Sequence, residues 1–127
     1  MDLGKIKKSM AKTLTQILKE VWEEKRGYFE NYQFWAKKIK KEAKKLLGKV
    51  RVLVFGSIVQ GKWTPQSDID ILIISENLPE NQKERSKIRT KIKSAIDPFS
   101  PFQIHLATPK EYKNWYQRFI KEDFIEI

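Results

Sequence analysis

Residues 54–73 read VFGSIVQGKWTPQSDIDILI. Two apolar runs, 50–55 and 68–74, have the length and β-branched content of buried strands. Between them lie a Gly-Ser turn, a short helical stretch and a loop carrying Pro65. The second run opens with Asp68 and Asp70, one residue apart. Successive strand residues face opposite ways, so the two carboxylates share a face, with Cα atoms about 6–7 Å apart. Ile69, Ile71 and Ile73 then face the other way and can pack under helices. A buried carboxylate is costly unless a cation or hydrogen bonds compensate it, and two side by side repel. A divalent cation between them removes both problems. All-oxygen donors of this kind suit Mg²⁺ or Mn²⁺, which complete their shells with water and phosphate oxygens.

The Gly56-Ser57 turn supplies a matching anion site. Glycine lets the backbone come close to a phosphate, and the helical turn after it presents free N–H groups. Ser57 adds a hydroxyl, and Lys62 in the following loop can reach a triphosphate as a point charge. Each feature alone is weak, since Gly-Ser is also an ordinary turn and Asp-x-Asp also an exposed strand end. Together, on strand–turn–helix–loop–strand, they describe a site for a metal-chelated nucleoside triphosphate.

Outside this stretch the pattern alternates in the same way. Ile6, Met10, Leu14, Ile17 and Val21 recur at the helical period, and Gly27 is expected to end that helix. Phe29, Tyr32, Ala36, Ile39, Ala43 and Leu46 mark a second helix, capped by Gly48. Pro79 is expected in the first turn of a helix carrying Ile88, Ile92 and Ile96 to the Asp97-Pro98 stop. A third strand spans 102–107. Thr108-Pro109-Lys110-Glu111 is a capping box opening a last helix to about Lys121. The expected architecture is α/β (α+β), a small mixed sheet with helices packed on it. Residues 1–27 read as an N-terminal helical extension and 28–127 as one domain.

The 127 residues carry a net charge of +10, unevenly spread. Residues 1–49 hold 14 Lys/Arg against 6 Asp/Glu, and residues 50–127 hold 12 against 10. The N-terminal excess favours a nucleotide, a nucleic acid or an acidic partner, and equally fits a solvated lysine-rich helix face. The first helix can also serve as an arm for homo-oligomers. There is no cysteine, hence no disulfide or thiolate metal site, and no apolar run of the roughly 20 residues needed to span a bilayer. The expected location is cytoplasmic, without membrane contact. Of the four tryptophans, Trp22, Trp35 and Trp115 read as core or interface anchors; Trp63 reads as loop packing or as a platform for a base.

Gly56-Ser57, ten residues, then Asp68-Ile69-Asp70 resembles the signature of the DNA polymerase β-like nucleotidyltransferase superfamily. In size, and in Gly61 and Ser67, the chain resembles the minimal nucleotidyltransferases. The resemblance implies the polymerase β-like fold and transfer of a nucleoside monophosphate, AMP, from ATP to a hydroxyl on a protein or other acceptor. It implies Gly56, Ser57, Lys62 and Ser67 on the nucleotide and Asp68 and Asp70 on the metals. Two metals would clamp the attacking and leaving oxygens. A third carboxylate normally stands on the neighbouring strand. Here Phe102, Ile104 and Leu106 share one face, leaving Gln103 and His105 toward the aspartates, and neither is acidic. Gln103 offers a carbonyl oxygen, and His105 either a base or a hydrogen-bonded strand histidine. Gln60 stands where the family often has arginine. The resemblance also implies an alternative: a catalytically weakened, antitoxin-like nucleotide-binding subunit of a two-component module with a HEPN-type partner.

Overall fold

A computed structural model describes residues 3–127, with side chains from Thr13 onward. Helix α1 (Leu3–Glu30) and helix α2 (Tyr32–Leu47) precede strand β1 (Arg51–Phe55), the single turn α3 (Ser57–Gln60) and strand β2 (Ile69–Ile74). Helix α4 (Gln82–Ile96), strand β3 (Phe102–Ala107), α5 (Pro109–Glu111), a π-helical turn (Tyr112–Tyr116), α6 (Gln117–Ile120) and strand β4 (Phe124–Glu126) complete the order. The sheet runs β3-β2-β1-β4. β1 is antiparallel to β2 and β4, while β2 and β3 are parallel, so the sheet is mixed as the alternation implied.

One face carries Val52, Val54, Ile69, Ile71, Ile73, Phe102 and Ile104, buried under Ala36, Ile39 and Ala43 of α2 and Ile92 of α4. Phe29 and Tyr28, from the last turn of α1, join this core, and the Tyr28 hydroxyl donates to Asp97 Oδ2 at 2.8 Å. The other face is covered only in part. Ile120 packs on Leu53, Leu72, Ile74 and Ala107, with Tyr112 and Tyr116 at the margin. That cover stops at the end of the sheet where β1 finishes and β2 begins.

Several boundaries differ from expectation. Gly27 lies inside α1, because a helical glycine weakens a helix by about 1 kcal/mol without stopping it. The break falls at Asn31, whose φ and ψ are −116° and 30° and whose amide still bonds to Gly27 O at 3.1 Å. The side chains of Ile6 and Met10, at the head of the expected stripe, lie outside the described residues. Its continuation, Leu14, Ile17 and Val21, is exposed along with Leu18 and Trp22. Pro79 precedes α4, and the cap is Asn81, whose Oδ1 accepts from the amides of Lys83 and Glu84. The final helix is broken by the π turn, and a short strand, β4, follows it. Trp22 and Trp115 are exposed, whereas Trp63 packs flat on Phe29 with ring centroids 4.8 Å apart.

The capping box at Thr108 forms in full: its amide donates to Glu111 Oε1, and the Glu111 amide donates back to Thr108 Oγ1. The same carboxylate accepts both bonds from Nη1 of the buried Arg85, at 2.9 and 3.1 Å. Burial raises the Glu111 pKa, but the Thr108 and Arg85 bonds outweigh it and hold the group below its ordinary value. A depressed carboxylate pKa contributes stability that is present above the unfolded value and lost as pH falls through the folded one. We expect Glu111→Gln to lose about 1–2 kcal/mol in urea unfolding at neutral pH, the gap to the parent closing as pH falls through the carboxylate range.

Candidate active site

The site is built where β1 ends against the start of β2. Antiparallel register sets Phe55 opposite Asp70, so the next residue, Gly56, turns directly beneath that carboxylate. Gly56 has φ +85° and ψ −156°, and a Cβ added there would sit 2.5 Å from Asp70 Oδ2. Glycine is therefore required twice, by the backbone angle and by the contact. After it the chain enters α3, whose first amides have no partner within the helix. Four residues make one turn, so an anion bound there would meet these N–H groups and the Ser57 hydroxyl more than a helix dipole.

Asp68 is exposed just ahead of β2, and Asp70 is half-buried one step inside it. The loop reaching them is braced by Ser67, whose Oγ accepts from the Thr64 amide at 2.9 Å while its own amide donates to Thr64 O. Ser67 thus has a structural task in setting the approach to Asp68. Lys62 is exposed, with its amide on Ser57 O at 3.0 Å, which ties the loop back to the Gly56-Ser57 turn.

Parallel register sets Gln103 opposite Asp70 and His105 opposite Leu72, all on the face expected from the alternation. Gln103 is exposed. His105 reaches diagonally, its Nε2 3.2 Å from Asp70 Oδ1, and its ring lies 5.5 Å from Phe55 and 6.0 Å from Tyr116. A carboxylate only accepts, so Nε2 carries the proton and donates. His105 is a hydrogen-bonded partner that orients Asp70, and its Nδ1 has no hydrogen-bond partner among the described residues. Tyr116, against this ring, has its pKa raised mainly by burial and by Glu111, with Arg89 and Arg85 opposing.

Among the described residues no group of three or more Asp, Glu, His or Cys side chains comes together to hold a metal ion. Asp68 and Asp70 fit a hard cation that draws its remaining ligands from phosphate and water; they do not form an all-protein cage. Neither the Asp70–His105 bond nor the groove beyond β3, lined in part by Gln103, His105, Arg89 and Tyr116, was legible in the sequence. The bond depends on the parallel register of β3 with β2, which no local motif encodes.

The family model for the nucleotidyltransferase domain matches residues 36–126. A crystal structure assigned as a nucleotidyltransferase is 32% identical, covering 72% of this chain and 95% of its own, with a TM-score of 0.58. A second so assigned, from Sulfolobus solfataricus, is 20% identical, covers 84% of each chain and has a TM-score of 0.53. A third, a toxin-antitoxin with AMP-PNP, is 24% identical over 72% of this chain and 70% of its own, with a TM-score of 0.55. The latter two show likeness of fold. No curated protein sequence matches significantly. The chain belongs to the nucleotidyltransferase domain family, with the polymerase β-like fold.

Gly56→Ala tests the close approach. The added methyl and the positive φ together should cost about 2 kcal/mol in thermal or urea unfolding and displace the Asp70 carboxylate. Unchanged stability would show that the turn relaxes without consequence.

Proposed function

We propose that this member of the nucleotidyltransferase family transfers AMP from ATP to a hydroxyl on a protein or other acceptor. The observation that carries the reading is the Gly56 backbone seated against the Asp70 carboxylate on adjacent strand ends, which supports an anion cradle beside a cation site. Gly56, Ser57, Lys62 and Ser67 are the nucleotide-binding set, with residues 28–127 as the transferase domain and 1–27 as its extension. Asp68 and Asp70 would hold Mg²⁺ or Mn²⁺, which when bound offsets phosphate charge and aligns the triphosphate.

In the transfer the acceptor oxygen bonds to the α-phosphorus. The bond from that phosphorus to the bridging oxygen breaks, and pyrophosphate leaves with the electron pair. The hydroxyl proton passes to solvent or to His105 Nδ1, since Nε2 is committed to Asp70. Gln103, opposite Asp70, offers a neutral oxygen where a third carboxylate would carry charge.

A second reading has its own support. Asp70 is already engaged by His105 and the third acid is absent, which favours a nucleotide-binding, antitoxin-like subunit with a HEPN-type partner. The uncovered Leu14, Ile17, Leu18, Val21 and Trp22 stripe on α1 would suit such a partner or a second copy of this chain. The similarity to a toxin-antitoxin bound to AMP-PNP points the same way.

Mg²⁺-dependent ATP binding should weaken at least tenfold, about 1.4 kcal/mol, in Asp68→Asn/Asp70→Asn. Equal binding by parent and variant would sink the metal assignment. Labelled AMP transferred by the intact protein supports the enzyme. Nucleotide binding without product, together with a stable complex with a HEPN-type protein, supports the second reading. Gln103→Glu should raise transfer about tenfold or more if only the third acid is lacking.

A further inference from the structure

A groove of about 670 Å³ runs along the outer edge of β3. Four consecutive residues, Gln103 to Leu106, line it, so both faces of the strand and the edge between them border the same space. β3 ends the sheet, and among the described residues no strand pairs with the N–H and C=O groups on its outer side. Helix α4 forms one wall and the segment from Lys110 to Tyr116 the other. The Arg85–Glu111 pair links the two walls. At the opposite end, Gln103 faces Asp70.

The groove lies on the far side of Asp70 from Gly56, because β2 separates β3 from β1. A displacement at phosphorus needs attacking and leaving oxygens roughly in line, so an acceptor must enter opposite the triphosphate cradle. The wall charges say what kind of acceptor. Glu111 cancels Arg85, while Arg89 and Lys110 make no ion pair among the described residues, leaving two cations beside an open strand edge. A nucleic-acid track of about 6–10 phosphate contacts asks for far more than two unpaired cations can serve. An extended peptide can add to the free edge by main-chain hydrogen bonds and place alternate side chains against the walls.

Resting on the nucleotidyl-transfer reading, we infer that this groove receives the acceptor as an extended acidic polypeptide segment. It pairs along the outer edge of β3, sets carboxylates at Arg89 and Lys110, and delivers its hydroxyl at the Asp70 end.

The probe is a random glutamate–tyrosine copolymer titrated calorimetrically into the full chain, with a lysine–tyrosine copolymer and an oligothymidylate as comparisons. The glutamate–tyrosine polymer should bind most tightly. Arg89→Glu and the more exposed Lys110→Glu should each weaken it at least tenfold, with Arg89→Lys restoring most of the loss. Lys41→Glu on α2 reports bulk charge, and an equal loss there overturns the assignment. So does full affinity in both groove variants, or tighter binding of the oligothymidylate. ATP binding measured on the same samples separates the two ideas. If ATP fails to bind while charge-specific peptide binding survives, the transferase reading falls and the groove stands.

Discussion

The antiparallel pairing of β1 with β2 brings a backbone and a carboxylate closer than any side chain would allow. Phe55 opposite Asp70 fixes the register, and the chain must then turn at Gly56 under the acid. Slipping the pairing by one residue would send Ile69 and Ile71 to the wrong face and Asp70 into the apolar core, at the cost of an uncompensated buried charge. The hydrophobic alternation and the placement of Asp70 against Gly56 are thus one constraint. The isoleucines that anchor β2 under α2 and α4 also hold Asp70 in place.

The second face of the sheet is covered at one end and open at the other. Ile120 buries Leu53, Leu72 and Ile74, which lie along the same rows as Phe55 and Asp70. The C-terminal segment covers one end of these rows and leaves the other open. Its capping box anchors it to Arg85, so the cover starts at a defined point. His105 stands at the boundary, with Tyr116 on one side and Asp70 on the other.

Much of this was readable from residue order. The strand cores, the Thr108 box and the shared face of Asp70, Gln103 and His105 follow from periods of two and from cap chemistry. Gly27 misled because glycine is a strong punctuator in sequence but a mild perturbation within a long helix. Asn31, which does break the helix, carries no such signal. β4 was missed because three residues pairing with β1 have too little pattern to stand out. For Trp22 and Trp115 exposure removes the core alternative and leaves the interface one, because aromaticity does not reveal whether this chain supplies the covering surface. The His105–Asp70 bond needs the β2–β3 register, which arises from tertiary pairing alone.

The π-helical turn at Tyr112–Tyr116 takes up an extra residue in the final helix. A π turn holds one residue more than the α turn it replaces. Five π residues advance about as far around the axis as four α residues, so the segment that follows keeps its phase. Ile120 still meets Leu53 and Leu72, and β4 still meets β1. This short stretch therefore works as an expansion joint, in which one residue more or less is absorbed locally.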